Sequence, residues 1–128
     1  CGPGMTTSAG AMQVVSGLLE LDVPLILDAD ALNCLAKIAI DGIDSNPEMY
    51  RREQPLVMTP HYRELSRLVA GDEVNDLGTA IAAAQKVVWA AGSDNLVVIA
   101  KGPTTAICGV ERAAAALGSG FSGNCRFG

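Results

Sequence analysis

Stretches in which apolar residues recur at helical spacing alternate along the chain with short runs in which they are continuous. Met12, Val15, Leu18 and Leu19 fall on one helical face, with Thr7 and Ser8 ahead of them as capping residues, so the pattern predicts a helix over 9–21. Pro24 breaks that pattern. Residues 24–28 then form a continuous apolar run ending in acid, as a strand covered on both faces does. A second helix is predicted over 30–40, carrying Leu32, Leu35 and Ala39 inward. Residues 41–54 hold six charges and Pro47 with little periodicity, which reads as a surface loop or insertion.

Leu56, Val57 and Met58 make a second buried strand that runs into Thr59-Pro60-His61, where the proline suits the first turn of a helix carrying Leu65 and Leu68. Gly71, Asp72 and Glu73 end that helix. Asn75 or Asp76 can cap an alanine-rich helix reaching Ala91, and Gly92 supplies its stop signal. Residues 96–100 read as a third buried strand and 105–108 as a fourth. Residues 111–117 are ambiguous: alanine propensity argues for helix, and the position after a turn suits a return strand. Three strand-helix units in succession predict an α/β fold with a largely parallel sheet, whose ligands bind beyond the carboxyl ends of its strands.

A length of 128 residues is one domain's worth of chain, long enough to bury about two-thirds of its unfolded surface. With 4% aromatic residues, the core has to be built from small aliphatic side chains. Nine basic residues against 14 acidic ones leave a net charge of -5, and the lysines are only Lys37, Lys86 and Lys101, so nucleic acid is excluded as a general partner. No apolar run approaches the roughly 18 residues of a membrane span. The cysteines, Cys1, Cys34, Cys108 and Cys125, form no C-x-x-C pair, and His61 is the lone histidine, so a structural zinc site has nothing to be made from. Cys34 and Cys108 sit in apolar runs as small buried hydrophobes, and a reducing cytoplasm is the simplest compartment. Cys1 stands where a methionine would begin a gene product, and the far end stops in a glycine-rich stretch. Both ends are read as truncations of a single partial domain over 1–128.

Every polar cluster that stands out lies at a strand's carboxyl end. Gly2-Pro3-Gly4 precedes a helix and either offers backbone amides to an anion or is simply a turn. Asp30 suits a helix N-cap, whereas Asp28 at the sheet edge has no such structural need. His61 and Glu64 lie three apart on one side of a helical turn; a lone histidine there is a ligand or a capping residue. Lys101-Gly102-Pro103-Thr104-Thr105 provides a cation, a close-approach glycine and two hydroxyls suited to phosphate oxygens, or else a plain turn with a surface lysine.

Taken in order, Gly2-Pro3-Gly4, Leu27-Asp-Ala-Asp-Ala-Leu32, Thr59-Pro60-His61 with Glu64, Arg67 and Leu68, Lys101-Gly102 with Thr105, and Gly123-Asn124 resemble the carbohydrate-kinase-like family of NAD(P)H-hydrate dehydratases, of ribokinase-like fold. The resemblance implies dehydration of hydrated NAD(P)H coupled to hydrolysis of ADP or ATP with Mg2+, and the Thr-Pro-His form is similar to the ADP-using type. It implies that Gly4 and His61 contact the hydrated nicotinamide nucleotide and that Asp28 and Glu64 line its pocket. Lys101, Gly102, Pro103, Thr104 and Thr105, with Gly123 and Asn124, would bind the adenine nucleotide. It also implies a homo-oligomer, for which the apolar first helix is a candidate interface.

Two departures qualify the resemblance. Met5-Thr6 replaces the family's leucine-glycine, and the glycine-x-glycine-aspartate motif with the family's catalytic base would lie beyond Gly128, so this stretch alone is expected to be inactive. The alternatives are a small-molecule kinase of the same fold, acting on a sugar or hydroxymethylpyrimidine, and a non-catalytic nucleotide-binding module.

Overall fold

The structure, a computed structural model, describes residues 1–39, 47–110 and 124–127. The elements run α1 (Ala9–Glu20), β1 (Leu25–Leu27), α2 (Asp30–Ile38), a 3-10 turn (Pro47–Tyr50), β2 (Leu56–Met58), α3 (Tyr62–Leu68), α4 (Leu77–Ala91), β3 (Leu96–Ala100), β4 (Ala106–Gly109) and β5 (Asn124–Phe127). Caps set the helix starts. Ser8 accepts from the Ala11 amide at the head of α1, and Asp76 and Thr79 form a reciprocal capping box on α4. Gly92 closes α4 in the left-handed conformation, as a helix-stop glycine does.

The five strands form one sheet in the order β1-β2-β3-β4-β5. It is parallel across β1, β2 and β3, with Leu27 beside Met58 and Met58 beside Val98. The expected parallel sheet stops there. The short turn after β3 folds β4 back antiparallel, and β5 pairs antiparallel with β4. Adjacent parallel strands taken in chain order need crossovers of one hand, which puts the crossover helices on one face. Burial alternates accordingly. Leu25, Leu27, Leu56, Met58, Leu96, Val98 and Ala100 are buried with Val15, Leu32, Leu35, Leu65, Leu68 and Val87 of the helices, while Ile26 is 58% and Ile107 45% exposed. Continuous apolar runs predicted strands covered on both faces; among the described residues only one face is covered.

Residues 47–54 also depart from the expected surface loop. Tyr50 in the 3-10 turn is fully buried, and burial pushes its hydroxyl up to about 12. Cys34 is a free, fully buried thiol as expected; Cys108 is buried too, but it is disulfide-bonded, a covalent partner that its reading as a small buried hydrophobe left out. Its register partner is Cys125 in β5, a strand with no apolar run to announce it. The ambiguous stretch 111–117 lies outside the described residues. Among those that are described, no helix is long and apolar enough to cross a membrane.

Candidate functional site

Because β1, β2 and β3 are parallel, their carboxyl ends open on one edge and bring Asp28, His61 and Lys101 together. Lys101 donates to Asp28 Oδ1 at 2.7 Å, bridging the ends of β1 and β3 across β2. The Lys101 amide donates to the Pro60 carbonyl at 2.7 Å, so His61 and Lys101 stand side by side in a parallel bridge. The Lys101 ammonium holds the Asp28 carboxyl below its ordinary value; partial burial opposes this, and the Thr59 hydroxyl and Ala29 amide add to it. Asp28 is therefore an anion at neutral pH.

The Gly-Pro-Gly loop is fastened to the same strand end. The Asp28 amide donates to the Cys1 carbonyl at 3.0 Å, and Cys1 N donates to the Ile26 carbonyl at 2.9 Å. Gly2 is packed so tightly that a Cβ there would lie 1.6 Å from the Asp28 carbonyl oxygen. Gly4 is the open member of the pair, exposed at φ +77° with free space where a Cβ would go. The motif-based reading picked Gly4 and passed over Gly2, although both stand in the same motif. Strain gathers around this loop: Ala29 has φ 49° and Thr6 has φ 63°, conformations that L residues avoid.

Asp30 is not an N-cap. It sits inside the first turn of α2 and accepts from the Thr6 amide at 3.1 Å, tying α2 to the glycine loop. His61 takes the capping role. Its Nδ1 accepts from the Glu64 amide, and Glu64 Oε2 accepts from the His61 amide at 2.9 Å. Glu64 Oε1 lies 3.2 Å from His61 Nε2, so both carboxylate oxygens are engaged on His61. Glu64 is 5% exposed while the His61 side chain is half exposed, which makes Glu64 a positioning residue and His61 the group that faces outward.

Gly102, Pro103, Thr104 and Thr105 form the turn between β3 and β4 beside this cluster. A Cβ on Gly102 would lie 2.4 Å from the Tyr62 ring, so the close approach that glycine permits is taken by Tyr62, a residue the sequence reading missed. Gly123 lies outside the described residues. Asn124 does not join the cluster: β5 runs antiparallel to β4, so its first residue stands opposite Gly109, at the edge where β3 begins.

Two clefts of about 700 Å³ lie elsewhere, one at the amino edge between Glu20, Asp22, Arg51 and Arg52, the other between α2 and α3. Size does not decide the matter. The strand-end edge alone assembles an acid, an ammonium, an imidazole and a glycine loop from four segments, where an open α/β sheet takes its ligand. Among the described residues no three carboxylate, imidazole or thiolate groups converge on one point. A Mg2+ carried by phosphate oxygens and water requires no such cage.

A family model described as NAD(P)H-hydrate dehydratase matches residues 1–122. The chain belongs to the NAD(P)H-hydrate dehydratase family. It is 37% identical over 123 residues to the bifunctional NAD(P)H-hydrate repair enzyme Nnr of Synechocystis, covering 93% of this chain and 22% of that one. With the ADP-dependent (S)-NAD(P)H-hydrate dehydratase of Bacillus subtilis it shares 34% over 106 residues, 83% of this chain and 33% of the relative. The Bacillus subtilis ADP/ATP-dependent NAD(P)H-hydrate dehydratase co-crystallized with ATP/Mg2+ superposes with a TM-score of 0.58 at 31% identity, over 83% of this chain and 33% of that structure. A ribokinase-like superfamily protein of Enterococcus faecalis, 22% identical with a TM-score of 0.56, shares the fold. The chain thus spans between a fifth and a third of the length of these relatives, and the ribokinase-like α/β fold is established for it.

Proposed function

We propose that the protein carrying this chain restores NAD(P)H from its hydrate, with ADP or ATP as co-substrate and residues 1–128 as part of its catalytic domain. The convergence of Asp28, His61 and Lys101 at one sheet edge, in a chain of this family, carries the reading. Gly4 and His61 contact the hydrated nicotinamide, Asp28 accepts from its hydroxyls, and Glu64 fixes the imidazole. Lys101 and the turn from Gly102 to Thr105 meet the nucleotide phosphates, and Mg2+ there offsets their charge.

The chemistry balances without a redox step. The substrate hydroxyl gives its proton to water as its oxygen bonds to the terminal phosphorus of ADP and AMP departs, which converts a poor leaving group into phosphate. The ring nitrogen's lone pair expels that phosphate, and loss of a proton from the adjacent carbon restores the ring double bond. NAD(P)H, AMP and phosphate result. Its reduced nicotinamide and ADP substrates support a cytoplasmic reaction, and the bonded Cys108 departs from the free thiols expected of a reducing compartment. The assembly is a homo-oligomer, and the outward face of α1, where Val14 is 52% exposed, is its candidate contact.

The test supplies the full-length protein with hydrated NADH, Mg2+ and ADP, ATP or neither, and follows the returning dihydropyridine absorbance. Recovery only with nucleotide is expected. Phosphate transfer to hydroxymethylpyrimidine or a sugar, without recovery, would replace this reading with a kinase.

A further inference from the structure

The cleft between α2 and α3 is lined by Thr7, Asn33, Lys37 and Arg67 and has a volume of about 700 Å³. Its two cations are placed unlike the other cations with ion partners. Lys101 pairs with Asp28, Lys86 with Asp72 and Arg51 with Glu48. Lys37 instead donates to Thr7 Oγ1 at 2.8 Å and Arg67 to Asn33 Oδ1 at 2.6 Å. Both partners are neutral oxygens, and no described carboxylate lies within ion-pair distance of either cation. In a chain of net charge -5, two oriented and uncompensated cations on one cleft form an anion site.

One segment, Thr6-Thr7, touches both the cleft and the strand-end cluster. Thr7 follows the glycine loop, and the Thr6 amide is bonded to Asp30, two residues after Asp28. Lys37 lies seven residues along α2 from Asp30, about 10 Å at the helical rise. We infer that this cleft holds the phosphates of the dinucleotide whose nicotinamide end sits at Asp28 and His61. The inference rests on the proposed function and adds the substrate's phosphate-bearing half to it: Lys37 supplies a point charge, and Arg67, steered by Asn33, a fork for phosphate oxygens.

Binding to the full-length protein separates the two ideas. NADH and reduced nicotinamide riboside, which lacks phosphate, are titrated by dihydropyridine fluorescence against the natural protein and its Lys37→Gln and Arg67→Gln variants. Losing one charge-assisted contact weakens NADH by about tenfold in each variant, with the riboside unchanged. Lys37→Arg, which keeps the charge, restores most of the affinity. Unchanged NADH affinity in both variants overturns the inference, as does equal weakening of the riboside, which would mean a deformed site. Turnover of hydrated NADH is read separately: a protein with this binding pattern and no dehydration keeps the cleft and loses the proposed reaction.

Discussion

Gly2→Ala is the sharpest test of the strand-end geometry. The new Cβ would lie 1.6 Å from the Asp28 carbonyl oxygen and 2.5 Å from its carbon, at a φ of +153°. The wall it meets is backbone. Asp28 follows Leu27, which is fully buried and paired with Met58, so the strand end holds and the loop has to leave. Staying in place would combine a strained backbone, about 1–3 kcal/mol, with overpacking of a similar size. Leaving breaks the two backbone hydrogen bonds that tie the loop to the strand, Asp28 N to Cys1 O and Cys1 N to Ile26 O. At about 1 kcal/mol net each, departure costs about 2 kcal/mol, so the chain takes that route or an equal one. Urea unfolding of the full-length protein should show a loss of that size, and KM for hydrated NADH should rise because Gly4 moves with the loop. Gly4→Ala meets no atom within 4 Å and costs only about 1–2 kcal/mol of left-handed strain. A Gly2→Ala protein within about 0.5 kcal/mol of the original, with unaltered KM, would refute the packing of this loop on Asp28.

Lys101→Met removes the ion pair that holds Asp28 below its ordinary value. Because the folded carboxyl is the stronger acid, the pair stabilises above the unfolded pKa of about 3.9 and its contribution fades as pH falls through the depressed folded value. Both side chains are a third or more exposed, so the stability gap between the two proteins should be at most about 1 kcal/mol at pH 7 and should close in acid, as urea midpoints across pH would record. Ala29→Gly relieves a φ of 49°; strain of about 1–3 kcal/mol exceeds glycine's added unfolded-state entropy of about 0.5–1 kcal/mol, so the melting temperature should rise. Glu64→Ala opens the capping box of α3 and releases His61, costing about 1–2 kcal/mol; Glu64→Gln, which still accepts from the His61 amide, should recover stability more fully than KM.

What the sequence by itself determined is local. Ser8, Asp76 and Gly92 set helix ends through bonds to residues within one turn, and β3 matches its apolar run residue for residue. The family motifs likewise picked out Asp28, His61 and Lys101, of which Asp28 and Lys101 follow a strand directly and His61 follows one after two residues. Tertiary structure decided what depends on distant partners. Lys101 reaches an acid 73 positions away, Gly2 is glycine because the Asp28 carbonyl occupies the space of its Cβ, and Tyr62 takes the close approach that Gly102 leaves open. Tyr50 is buried from a charged stretch with no period to reveal it, and the register that sets Cys108 opposite Cys125 along the backbone is encoded in no run of residues. Helix caps are satisfied within a few residues of chain, whereas a strand's neighbours, the covered face of a sheet and the partner of a charge are fixed only when the segments close on one another.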